Sequence, residues 1–181
     1  MEIRQSVETD RANIETVHIQ AFGKQLGPEI ARLVHNLFDD PTARPLLSLV
    51  CVEDKETTGH VLFTKAVVTH SPEPVNARIL APLAVLPEAQ GKGIGKKLIL
   101  EALHHMKESG VDLVFVLGHP EYYPRAGFTP AGVHALHAPY PIPAEHAGAW
   151  MVQELRTGII GNIQGTIQCS EALNRPEYWR E

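Results

Sequence analysis

Six residues, Gln90-Gly91-Lys92-Gly93-Ile94-Gly95, constrain this chain more than any others. They follow an apolar run, Ala77 to Leu86, with the length of a strand. They lead into Ile94, Leu98, Ile99, Ala102, Leu103 and Met106, whose three- and four-residue spacing is that of a helix burying one face. Three glycines between a strand and a helix let the backbone turn sharply and approach a ligand closely. The unpaired amides of the first helical turn then face outward at the positive end of the helix dipole, where an anion is the natural occupant. Lys92, Lys96 and Lys97 crowd the same end. Each would cost roughly 0.3–1 kcal/mol there without an anion, so their presence points to a phosphate ligand. The competing reading is a glycine-rich turn with solvated lysines.

Around this turn the residues spell an α/β chain. Ile3 to Val7 reads as a strand, and Glu8-Thr9-Asp10 as the cap of a helix burying Ile14, Val17, His18, Ala21 and Phe22. Gly23 and Gly27 are expected to break it, with Pro28 in the first turn of a second helix that carries Leu33, Val34, Leu37 and Phe38. Leu46–Val52 and Gly59–Val68, joined by the polar turn Glu53-Asp54-Lys55-Glu56, read as an antiparallel hairpin. Val111–Leu117 is apolar on both faces, as in a covered strand, and Trp150–Leu155 is expected to be the last strand. The order predicts a mixed sheet with a right-handed crossover through the helix after the glycine turn.

Length and charge remove several classes. At 181 residues the chain suits one domain with a full core. A net charge of −5, with its charges scattered, gives no footprint for nucleic acid. Cys51 and Cys169 lack metal or redox spacing, and the ten histidines show no HxxxH pattern, so neither a disulfide framework nor a metal site is expected. Met1 to Gln5 lacks the apolar core of a signal peptide, and no apolar stretch reaches 18 residues, which makes a cytoplasmic location and no membrane contact the expectation.

The phosphate ligand can be narrowed. A P-loop requires Gly, four residues and Gly-Lys-Ser/Thr, which is absent. A dinucleotide fingerprint requires GxGxxG early in a doubly wound sheet, whereas here GxGxG comes late, after a hairpin. What the segment does resemble, with Pro82-Leu83-Ala84-Val85 before it, is the acetyl-CoA signature Gln/Arg-x-x-Gly-x-Gly/Ala of the GNAT superfamily of N-acetyltransferases. Tyr122-Tyr123-Pro124-Arg125-Ala126-Gly127-Phe128 is similar to that superfamily's aromatic-Tyr-x-x-x-Gly-Phe segment, and follows in the expected order. Leu117-Gly118-His119-Pro120-Glu121 and Pro176-Glu177-Tyr178-Trp179 further resemble a YhbS-type branch.

The resemblance implies a GNAT-type acyl-CoA N-acyltransferase fold, with a mixed, mostly antiparallel central sheet flanked by helices. Residues 1–156 would be the acetyltransferase domain, and 157–181 an extension packed on it. Acetyl-CoA would be co-substrate, with no metal. Pantetheine would pair with the main chain of Leu83, Ala84 and Val85, one of whose amides would hold the thioester oxyanion. The pyrophosphate would lie on the amides from Gly91 to Lys96, through Lys92, Gly93, Ile94 and Gly95, with Gln90, Tyr122 and Arg125 alongside.

An amine of pKa near 10 is only about one part in a thousand neutral at pH 7, so a base must help and the departing thiolate needs an acid. The resemblance implies Tyr123 as the acid, with Tyr122 its neighbour, against the plainer reading of both as packing residues. His119, at the expected end of a strand, is the candidate base, against a loop histidine bonded to backbone. Many relatives carry an asparagine where this chain has Val116, so that pantetheine contact must be made otherwise.

The acceptor side is expected from Phe22–Pro28 and from Ala138-Pro139-Tyr140-Pro141-Ile142-Pro143. The expected acceptor is an amine of a small molecule or protein, and Trp179, taken as exposed, points to a contact either within the chain or between the subunits of a homodimer. The rival to a transferase is a regulatory module that binds acyl-CoA without turnover.

Overall fold

The computed structural model describes residues 1–180. Strand β1 (Glu2–Gln5) precedes the helical stretch α1 (Arg11–Asp39); β2 (Leu47–Glu53), β3 (Glu56–Val68) and β4 (Ala77–Val85) follow. Helix α2 (Ile94–Glu108) connects β4 to β5 (Leu113–Leu117). The short strands β6 (Thr129–Pro130), β7 (Leu136–His137), β8 (Trp150–Glu154) and β9 (Gly165–Gln168) complete the sheet. The order across it is β1-β2-β3-β4-β5-β8-β6, with β9 beside β3 and β7. β4 and β5 run parallel, as do β7 and β9; the other pairs are antiparallel. This is the mixed α/β fold expected, with α2 as the crossover. Among the described residues no helix is long and apolar enough to cross a membrane.

Three expectations are corrected. Only Gly23 breaks α1: its φ of 79° and ψ of −179° are unavailable inside a helix. Gly27 stays helical, and its missing side chain lets the second segment fold back against the Ile19 backbone, which a β-carbon would strike. Pro28 therefore lies beyond the first turn after the break. Trp150–Glu154 is not the last strand, because β9 returns to pair Val67 with Gln168 and Val68 with Ile167. Trp179 is not exposed: it is 3% accessible and meets Trp150 edge-on at 5.7 Å, so of the two contacts expected for it the one within the chain is made.

The β2–β3 hairpin is as tight as its polar turn suggests. Glu53 pairs with Glu56, and Asp54 and Lys55 take the left-handed conformations of a two-residue turn. Apolar side chains pack on both faces of the sheet. On one, Leu33, Val34 and Leu37 from the second half of α1 meet Leu62, Phe115 and Trp150. On the other, Ile94, Leu98 and Ala102 of α2 meet Val61, Phe63 and Val114.

Candidate active site

The site begins with a fault in the sheet. Val61 pairs with Leu83 but Phe63 pairs with Leu80, so Ala81 and Pro82 of β4 stand opposite Leu62 alone. A bulge of this kind bends and twists its strand. On the other side, the parallel pairing of β4 with β5 ends at Leu80 and Val116. From Ala81 to Val85, β4 pairs only with β3, while Leu117 of β5 pairs with Trp150 of β8. The two central strands thus part, leaving one edge of Leu83-Ala84-Val85 without a neighbouring strand.

Into this opening points the N-terminus of α2. Gly91 and Gly93 take positive φ, 78° and 79°, which only glycine adopts without strain, and Gly93 caps the helix. The Gln90 side chain donates to the Val85 carbonyl at 3.1 Å, tying the turn to the splayed strand. A cavity of about 500 Å³ lies along the turn. Of the residues singled out in the sequence, Leu83, Val85, Gln90, Gly91, Gly93, Ile94, Gly95, Lys96, Tyr122 and Arg125 line it. Ala84 faces the buried side of the strand, and the exposed Lys92 side chain is not in the wall. Lys97 reaches instead to the Met1 sulfur at 3.8 Å. Ala89, Ile99 and Ala126 complete the wall. Ile99 was legible as part of the inward helix face, whereas nothing local marks the two alanines.

The two tyrosines occupy different ground. The Tyr122 hydroxyl sits over Gly95, where a β-carbon would collide with it. Half-burial is the main reason its phenol is held above the ordinary pKa, with Arg125 pulling the other way, so it stays protonated. Tyr123 opens a 3-10 turn, Tyr123–Ala126, and packs edge-on between Tyr122 at 5.2 Å and Phe128 at 5.9 Å. Its ring rests on Gly118, just past the end of β5, where any side chain would strike it. His119 is exposed, lies outside the cavity wall, and accepts the Glu121 amide on Nδ1 at 3.3 Å. That bond is the one drawn by a loop histidine.

A second cavity, also about 500 Å³, is built by the proline-rich loop and takes nothing from residues 22–28. Tyr140, Ile142 and Trp150 form its walls, and no Asp or Glu lines it. Tyr140 is held by its hydroxyl to Asn174 Oδ1 at 3.0 Å, and Trp150 by its indole N–H to the Leu136 carbonyl at 2.9 Å. These walls pack with the α1 face of the sheet, whereas Leu83, Val85, Tyr122 and Tyr123 pack with the α2 face. The walls of the two cavities therefore pack with opposite faces of the sheet. Among the described residues, no group of three His, Cys, Asp or Glu side chains is placed to hold a metal.

Comparison with known proteins agrees with this geometry. Residues 2–131 match the family model described as an acetyltransferase (GNAT) domain. The chain is 43% identical over 165 residues to the uncharacterized N-acetyltransferase YjhQ of Escherichia coli K12, covering 91% of this chain and 89% of YjhQ. It is 30% identical to YhbS of the same organism over 97% of this chain and 99% of that one. The crystal structure of E. coli YhbS in complex with CoA superposes with a TM-score of 0.85 at 29% identity, over 96% of this chain and 92% of YhbS. A GNAT family acetyltransferase from Brucella melitensis, solved with acetyl-CoA, gives 0.73 at 27% identity, over 95% and 97%. The parted strands, the glycine turn between β4 and α2, and these relatives together make the chain a member of the GNAT family of acetyltransferases, in its YhbS-like branch.

Proposed function

We propose that the protein transfers an acetyl group from acetyl-CoA to an amine by direct attack within a ternary complex. The observation that carries this reading is the unpaired edge of Leu83-Ala84-Val85 beside the amides that open α2. A pantetheine arm extends that edge as a strand would, and a pyrophosphate neutralises the helix end and Lys96. An amide of β4 then polarises the thioester and holds the oxyanion, a contribution that costs no reorganisation because the strand is already in place. The CoA bound to YhbS and the acetyl-CoA bound to the Brucella protein support the choice of ligand.

Tyr123 is the donor to the thiolate in this reading, because it sits at the end of β5 where the strands part. Tyr122, whose hydroxyl overlies the first turn of α2, is its competitor and is better placed for the phosphate end of the ligand. The acceptor approaches from the opposite face, where the apolar cavity of Tyr140, Ile142 and Trp150 has no carboxylate to receive a polycation. That favours a single amine on an apolar body, free or as part of a protein.

A thermal-shift titration with acetyl-CoA, CoA, NAD and ATP tests the ligand, and free-thiol release with an amine panel tests the reaction. Ligand at about 100 times its dissociation constant should add roughly 2.7 kcal/mol. Tyr123→Phe should then bind CoA normally and lose roughly a hundredfold in kcat. A shift with CoA but no thiol release from any amine would turn the reading to an acyl-CoA-binding regulatory module.

A further inference from the structure

The foot of α2, about 18 Å along the helix from the glycine turn, faces a positive charge that nothing in the chain answers. Arg78 of β4 is half-buried in a cavity of about 200 Å³, between Gln5 of β1, Leu47 of β2, and His105, Met106 and Ser109 at the end of α2. No Asp or Glu lines this cavity. Arg78 Nη1 donates to Asn76 Oδ1 at 2.6 Å and to the Ala77 carbonyl at 2.8 Å, both neutral. Its Nε and Nη2 have no partner among the described residues. Burial without a carboxylate beside it pulls the guanidinium below its ordinary pKa.

The residue directly opposite Arg78 on β3 is a second cation, Lys65. Residues paired in this way point to the same face of the sheet, and like charges there repel. Lys65 makes no hydrogen bond or ion pair among the described residues. The carboxylates around the end of α2 are engaged: Glu101 with His105 and Glu108 with His104, each at 3.5 Å, and Asp112 with Arg156. Nor does Arg78 cap the helix, whose last carbonyls already take the amides of Ser109, Gly110 and Val111. Two cations side by side across a strand pair, one of them half withdrawn from water, cost the fold stability unless an anion joins them.

We infer that Arg78 and Lys65 form a binding site for a small phosphate-like oxyanion. A guanidinium grips an oxyanion through two parallel N–H bonds to two oxygens, and Nε and Nη2 are the adjacent donors left free here. Lys65 adds a second positive charge, and the Gln5 side-chain amide in the wall adds a neutral donor. The cavity is smaller than the roughly 300–1,000 Å³ of sites for drug-sized ligands, so its occupant is a free anion and not a nucleotide. The negative end of the α2 dipole works against an anion, so binding needs both cations. Neither cation lines the glycine-turn cavity, and the inference does not rest on the acetyl-transfer reading.

Calorimetric titration with inorganic phosphate at pH 7, with ionic strength held constant by sodium chloride, tests the site in wild type, Arg78→Gln, Lys65→Glu and Lys96→Ala. Wild type should bind phosphate saturably with a dissociation constant of about 1 mM or below. Arg78→Gln should weaken that binding roughly tenfold or more, and Lys96→Ala should leave it unchanged. Lys65→Glu puts a carboxylate opposite Arg78. It should abolish phosphate binding and raise the melting temperature measured without phosphate, because a repulsion becomes an ion pair. That variant decides the question if Arg78→Gln fails to fold. No saturable heat from wild type up to about 10 mM phosphate would overturn the site. So would an affinity lost in Lys96→Ala and kept in Arg78→Gln, which would put the anion on the glycine turn instead. CoA affinity should be the same in Arg78→Gln as in wild type, so failure of this site leaves the transfer reading standing.

Discussion

The two faces of the sheet are built from different materials. On the α2 face the glycine-turn cavity is organised by main chain, the glycines at the turn and the open edge of β4, with Leu83, Val85, Ile99 and Tyr122 as its apolar wall. On the α1 face the features are side chains brought from distant elements, the hydrogen-bonded row Ser6–Ser48–His60–His18 and the aromatic walls of the proline-rich loop. A site made of backbone depends on geometry and tolerates change in most side chains. A region made of side chains depends on their identity, and so can vary while the fold stays the same.

The sharpest way to break this contrast is to put a side chain where the backbone face has none. Gly95→Val places branched carbons against the Tyr122 hydroxyl and into the mouth of the cavity. Calorimetric titration should show CoA affinity falling by roughly a hundredfold, about 2.7 kcal/mol, with the fold retained. Unchanged affinity would mean that the ligand does not use the α2 terminus.

The next effect belongs to the other face and appears in stability. His18 is held at about 4 when folded, against 6.5 when unfolded, and His60 is shifted in the same direction. The unfolded chain therefore binds more protons than the folded one as pH falls through this window. Their contribution is intact above about 6.5 and is lost toward 4, by up to ~1.4 kcal/mol per pH unit for each ring. Urea denaturation between pH 7 and 5 measures it, and His18→Gln should flatten the slope. A wild-type slope of zero would place both rings in contact with water.

The smallest effect should come from Lys96→Ala, the one turn lysine in the cavity wall. CoA affinity should fall only two- to fivefold, because a single exposed charge at a helix end is worth about 0.3–1 kcal/mol. The loss should shrink in high salt. Lys92→Ala, outside the wall, serves as the comparison and should change less.

The same division explains what could be read from the residues. The turn from Gln90 to Gly95 and its helix are contiguous in sequence, and backbone needs are written there as glycine spacing, so that region was legible without a structure. Tyr122-Tyr123 was legible as a pair, but which ring enters the cavity depends on Gly95 and Gly118, which lie in other elements. The open edge of Leu83-Ala84-Val85 could be expected only through the family resemblance, and Pro82 marks a fault in its strand, but where β4 parts from β5 is set by pairing across three strands. His18 read as part of the buried helix face and His60 as part of a strand, but nothing in either neighbourhood signals that helix and strand bring them within 2.7 Å. Gly27 misled because a glycine tolerated inside a helix for close packing has the same appearance as one that ends it.

Both tryptophans of the chain, Trp150 and Trp179, lie together in the core on the α1 face. Intrinsic fluorescence of this protein is therefore an optical label on one event, the seating of residues near the C-terminal end on β8. It is blind to the glycine turn on the far side of the sheet. If unfolding followed by tryptophan emission and by a probe at α2 gave different midpoints, the two faces would be separable cooperative units. If they coincide, the parted strands are held open by a single folding transition that spans the whole sheet.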